Sequence, residues 1–325
     1  MYRGITVFVK FENIKTIKYK MKKTASLLSV LFIVLNLQAQ INMNDSTAQV
    51  IAYWNLNEKQ IYQVTHEKYK VKGTDTTYTD YWKYVVDITV KDSTANSYTI
   101  DWFYHDYEIE EENEILKKLS TLVEDMTITI RTDETGMFQE VVNWQDIQAF
   151  IFKATEMLRE ETKDIPNLDA FITQIENMYT TKESIEAAAI KEIQLFHTFH
   201  GAKYKLGEEY NSSLKIANLY DEKPFDADAI VWLDEINQED NNFVIRMNLE
   251  VNSEQLTKTT FDYLTQMAKT MKTPAPNWEE FPTLKNETFT ASRIHGSGWP
   301  IYSIETKEIS AEGQTNIEET IIEIQ

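Results

Sequence analysis

The sequence predicts an α+β fold: two antiparallel β-rich halves, half-barrel or sandwich-like, with helices packed on one face. Three observations point to it. Aromatic and β-branched residues alternate with polar ones in extended segments near both ends, helical stripes fill the middle, and the order hairpin, helix, hairpin occurs twice.

The elements follow in order. Met21-Lys22-Lys23, an apolar run over 25–35 and the exit Asn36-Leu37-Gln38-Ala39-Gln40 have the form of a secretory signal. The run is about half of the roughly twenty apolar residues a membrane span needs. Residues 1–20 then read as an upstream mis-start, 21–39 as the signal, and the mature chain begins at Gln40 with 286 residues. It is expected to be exported, periplasmic or extracellular, with no transmembrane segment after cleavage.

Tyr78, Trp82, Tyr84, Val86, Ile88 and Val90 fall on one face of an extended segment, and Tyr98, Ile100, Trp102 and Tyr104 on one face of the next. Asp92-Ser93-Thr94-Ala95-Asn96 makes the turn between them, so a hairpin is expected. Ile115, Leu119 and Leu122 predict a helix, entered from the acidic run Glu108-Ile109-Glu110-Glu111-Glu112, where carboxylates suit the dipole. A second hairpin covers 128–137 and completes a first half over 40–143.

The helical connector, 144–200, carries the stripes Ile147, Ile151, Ala154, Leu158 and then Leu168, Ile172, Ile175, Tyr179. One further helix over 182–200 is predicted, opened by a Thr180–Glu183 capping box and closed by Gly201. In the second half, 201–325, Phe243, Ile245, Met247, Leu249 and Val251 alternate with Arg246, Asn248 and Glu250. A helix over 253–271 with Leu256, Leu264, Met267 and Met271 follows, stopped by Thr273-Pro274-Ala275-Pro276, and the strands resume through Phe289 to Trp299.

Composition excludes whole classes. The chain has no cysteine, so it has neither disulfides nor the lipid anchor that needs a cysteine after the signal. The first 39 residues hold seven basic groups and one acid, so the chain from Gln40 carries −26 instead of the −20 of the whole sequence. Such a surface repels phosphate backbones, and nucleic acid is not an expected partner.

Catalytic and metal signatures are weak. Gly296-Ser297-Gly298-Trp299-Pro300 superficially matches a serine-protease nucleophile loop, but Trp299 stands where that loop needs glycine, and a tight turn accounts for it better. His197 and His200, three apart, share a helical face and form a weak metal candidate, without the carboxylate or His-Glu-x-x-His pattern of a zinc site. His66, His105 and His295 stand alone in strand-like segments. No cofactor is expected.

The exit Leu37-Gln38-Ala39-Gln40, the turn Asp133-Glu134-Thr135-Gly136 and the late Ser297-Gly298-Trp299-Pro300 resemble secreted Bacteroidota-type proteins grouped as domains of unknown function. In element order the chain also resembles, more distantly, the lipoprotein-carrier half-barrels. That second resemblance implies an apolar ligand or an acylated partner held against a curved sheet. Trp82, Tyr84, Trp102, Tyr104 and Trp232 are the candidate wall of such a site, and an ordinary aromatic core is the competing account of the same pattern. The expected function is a non-enzymatic envelope protein that binds an apolar ligand or an envelope partner. The alternatives are a structural or interaction module and, behind it, an enzyme whose site would show as clustered carboxylates in a cleft.

Overall fold

The computed structural model describes residues 40–109, 125–161, 168–188, 190–216, 218 and 223–325. The export signal, the segment before it, the predicted helix at Ile115–Leu122 and Glu110–Glu112 of the acidic run lie outside these residues. Glu108 and Ile109 end a strand.

In chain order the elements are β1 (Ile41–Asn42), β2 (Thr47–Gln49), β3 (Lys59–Lys72), β4 (Asp75–Ser93), β5 (Ser97–Ile109), β6 (Thr127–Asp133), β7 (Phe138–Val141), α1 (Trp144–Glu161), α2 (Leu168–Met178), α3 (Lys182–Ala188), α4 (Lys191–His197), β8 (Lys203–Lys205), β9 (Glu209–Ile216), β10 (Phe225–Asn237), β11 (Asn242–Val251), α5 (Ser253–Met271), β12 (Lys285–His295), β13 (Pro300–Ala311) and β14 (Gln314–Ile324). The fold is α+β. Eleven strands form one antiparallel sheet in the order β7-β6-β5-β4-β3-β14-β13-β12-β11-β10-β9, and β1-β2-β8 form a small second sheet.

The predicted halves meet edge to edge through β3 and β14, and Gln40–Gln325 is one compact unit. Within it the order repeats: β4-β5, an interval, β6-β7 in the first half and β10-β11, α5, β12-β13 in the second, each a sequential meander.

Register explains which face is inside. Tyr84, Val64, Ile322, Ser303, Ser292, Ile245 and Leu233 are cross-strand partners in turn, so they form one row across seven strands. Every member is buried. The helices cover this face. Ile147 and Ile151 of α1, Ile185 of α3 and Ile193, Leu195 and Phe196 of α4 join the core of β3–β6. The small sheet covers Leu233, Phe243, Ile245 and Ile294, and Leu256 of α5 meets Phe225, Ala227 and Val251. Burying one such side chain contributes about 1.5–3 kcal/mol.

Two helix expectations change. The helix over 182–200 is broken at Ile190, whose φ of −127° is not helical, and its capping box is Thr181–Ser184 instead of Thr180–Glu183. On a straight helix, residues five apart point about 140° apart. The break lets Ile185 and Ile190, both fully buried, face the same sheet. In α5 the apolar stripe is buried only at Leu256, while Met267 and Met271 are exposed.

Candidate functional site

The predicted aromatic wall divides between two faces. Tyr84, Trp102 and Tyr104 are buried on the helix-covered face, with Trp82 partly exposed beside them. Trp232 pairs across the sheet with exposed Arg246 and so faces the other way. Trp102 meets the edge of Phe196 at a ring-centroid distance of 5.2 Å, and Tyr62 meets the same ring at 5.4 Å. Helix α4 therefore fills the space over this part of the sheet.

His197 and His200 are buried in the last turns of the connector. His197 Nδ1 lies 2.7 Å from the carbonyl of Gly136 and His200 Nε2 lies 2.9 Å from that of Gly298. A carbonyl only accepts, so each of those nitrogens carries the hydrogen. The two glycines, at φ of 91° and 87°, occupy the equivalent β6-β7 and β12-β13 turns of the two halves. The segment between β2 and β3 threads the same place, with Ala52 N–H donating to Thr135 O and Tyr53 N–H to Ser297 O. Among the described residues no group of three or more metal-ligating side chains occurs. The pair binds two turns together; as metal candidates they lack a third ligand. Ser297 stands in the expected tight turn, its hydroxyl 2.8 Å from His295 Nδ1.

The open space lies one row further along the same face. Trp82, His66, Thr320, Glu305 and Thr290 are successive cross-strand partners. With Lys191 and Glu192 of α4 and with Lys68, Glu318 and Lys307 of the following row, the first four wall a cleft of about 190 Å³. Of this lining, the sequence singled out only Trp82 as a site residue. Its members are scattered over four strands and a helix, and only their shared row and their polarity at inward positions would have shown it.

A chain of hydrogen bonds backs the cleft. Tyr104 hydroxyl donates to Glu192 at 3.0 Å, and Tyr84 hydroxyl bonds the same carboxyl group. His66 Nε2 is 3.2 Å from Tyr84 hydroxyl, and Thr320 hydroxyl is 3.0 Å from His66 Nδ1. Because Tyr84 gives its proton to Glu192, His66 Nε2–H donates to Tyr84 and Nδ1 accepts from Thr320. Burial, aided by the charges of Lys68 and Lys191, lowers His66 to about 4, so it is neutral. Burial raises Glu192 and Glu305 above the usual carboxylate range, with Lys191 opposing both shifts and Lys307 also opposing that of Glu305. Trp82 stacks on His66 at 4.9 Å, and Lys68 Nζ lies 5.7 Å from the Trp82 ring centroid.

No known protein family matches the chain, and no curated protein sequence is similar to it. Among the described residues no helix is long and apolar enough to cross a membrane.

Proposed function

We propose that this is an exported, non-enzymatic protein of the cell envelope that holds a small polar ligand in the cleft between α4 and the sheet. The observation that carries the reading is where α4 lies. It fills the apolar, aromatic part of the sheet face and leaves the row His66–Thr320–Glu305 facing open space. A cleft lined by charged groups and a half-exposed tryptophan suits a polar guest, since an acyl chain there would bury Glu305 and Lys307 without compensation. The export signal over 21–39 supports the envelope location. The cleft does hold clustered carboxylates, the pattern expected of an enzyme, but Glu192 is engaged by two tyrosines and Glu318 by Lys68, and His66 has both ring nitrogens engaged by neutral hydroxyls, which suits binding walls more than a general acid and base.

A second reading, an interaction module, is favoured by Met267 and Met271, which stand exposed four residues apart on α5.

The test is to purify the protein from its own envelope, extract bound small molecules and analyse them by mass spectrometry, alongside Trp82→Ala. A polar compound present in the wild type and absent from the variant is the expected result. A bound acyl lipid would return the apolar-ligand reading, and nothing bound to either form would favour the interaction module.

A further inference from the structure

The charges in the cleft do not cancel among themselves, and what is left over describes a guest. Five glutamates border the cleft; Glu67 and Glu319, cross-strand partners between the two inward rows, belong to the other face of the sheet, which leaves three carboxylates on the helix-covered face. Glu318 pairs with Lys68 at 3.4 Å, and Glu192 accepts from Tyr84 and Tyr104. The Glu305 carboxylate has no ion pair or hydrogen bond among the described residues. Of the three lysines, Lys191 and Lys307 likewise have no ion pair within 4.0 Å, although both act electrostatically on Glu305. One carboxylate and two ammonium groups therefore border one small space, near enough to sense one another and too far apart to touch.

Register explains why they stay apart. Glu305 and Lys307 are on the same strand, two residues apart, and point to the same face in adjacent rows. Lys191 begins α4 on the opposite wall. A half-buried carboxylate without a contact partner loses more by desolvation than the more distant lysine charges return, since burial still raises Glu305. A guest offering a cation to Glu305 and an anion to Lys191 and Lys307 supplies both missing partners at once, by charge-assisted hydrogen bonds.

We infer that the cleft binds a small zwitterion, an amino-acid-type compound whose ammonium group meets Glu305 and whose carboxylate lies between Lys191 and Lys307. This rests on the cleft reading above and narrows it to one chemical class. The stacked pair Trp82 and His66 forms the uncharged side wall, and Thr320 at the floor is held by His66. A space of about 190 Å³ suits a compound of amino-acid size and excludes an extended peptide.

The experiment uses the exported protein and a panel of glycine, alanine, serine and γ-aminobutyrate, with ethylamine and propionate as the separate halves and glycerol as a neutral polyol. Binding is followed by NMR shifts of the backbone amides of His66, Glu305 and Thr320. At least one zwitterion is expected to bind about ten-fold or more tightly than either half, the factor of one charge-assisted hydrogen bond. Glu305→Gln should reduce that zwitterion to the affinity of propionate, and Lys307→Gln should move it towards that of ethylamine. Equal binding of a half and the zwitterion, or an unchanged zwitterion affinity in Glu305→Gln, overturns the inference. If no zwitterion shifts these amides but a neutral polyol does, the inference falls and the cleft reading survives. If nothing in either class shifts them, both fall.

Discussion

The row from Tyr84 to Leu233 and the neighbouring row from Trp82 to Thr290 cross many of the same strands and face the same way, yet they differ in what lies over them. The first sits beneath helices and the small sheet and is buried throughout, its one polar pair, Ser292 and Ser303, matched hydroxyl to hydroxyl at 2.8 Å. The second passes the start of α4 and holds His66, Thr320 and Glu305 around a cleft. A step of two residues along each strand thus separates a packed floor from a polar opening. The cover explains the difference, because the strands themselves are continuous through both rows.

Acid should weaken the packed side and act on the cleft in both senses at once, and this is the largest expected effect. Burial lowers His200 to about 4, His197 well below its ordinary value and His66 to about 4. Unfolded, each takes up a proton near pH 6.5, which the folded chain refuses. The stability they give is present above pH 6.5 and is lost as pH falls towards 4, about 3 kcal/mol for His200 alone. Glu192 and Glu305, raised by burial, oppose this: the folded chain binds their protons first and gains stability as pH falls through their raised values towards 4.5. Three histidines against two carboxylates predict a net loss. Urea unfolding should show a markedly lower midpoint at pH 4.5 than at pH 7, and equal midpoints would mean that Glu192 and Glu305 offset the three histidines completely.

Trp102→Ala is expected to cost about 3–5 kcal/mol, since the ring is fully buried against Phe196 and the helix above it cannot collapse into the gap without losing its other contacts. Chemical denaturation gives the number. A variant that keeps its stability would show that the face under α4 is loosely filled after all.

Gly298→Ala tests the join between the halves, with an expected loss of about 2 kcal/mol or more. A Cβ there would lie 2.4 Å from the Ile51 carbonyl oxygen, at a φ that side chains rarely adopt, and its displacement would break the bond to His200. Thermal unfolding should register the loss, and a neutral result would separate the turn from the stability of the packed side.

The sequence made the packed side legible and the cleft nearly invisible. Ile147, Ile151, Ala154 and Leu158, spaced by four and three, are all buried in α1, and the alternation of Val86, Ile88 and Val90 gives the inward face of β4. Period and apolarity report a face that is covered everywhere. They do not report where cover stops, so His66 reads as an isolated histidine in a strand and Thr320 and Glu305 give no signal at all. Trp82 and Tyr84 share one alternation, yet Tyr84 is buried and Trp82 is partly exposed beside the cleft. The three-residue spacing of His197 and His200 predicts a shared helical face, but the helix ends at His197 and the partners, the carbonyls of Gly136 and Gly298, come from turns 61 and 98 residues away in sequence. No local pattern carries that.

The smallest expected effect has the opposite sign and draws the sharpest line between the two rows. Glu305→Gln keeps the shape of the side chain and removes a charge whose desolvation the nearby Lys191 and Lys307 only partly offset. At pH 7 the folded chain should therefore gain stability, within about 1 kcal/mol, as removal of an uncompensated charge at a binding site commonly does. The gain should vanish as pH falls through the raised value of Glu305, because the wild-type carboxyl is then neutral too and the two chains become alike at this position. Comparing urea midpoints of wild type and variant at pH 7 and pH 4 reads both parts. If the variant is less stable at pH 7, Glu305 is holding the fold together, and the row from Trp82 to Thr290 belongs with the packed floor instead of with a binding site.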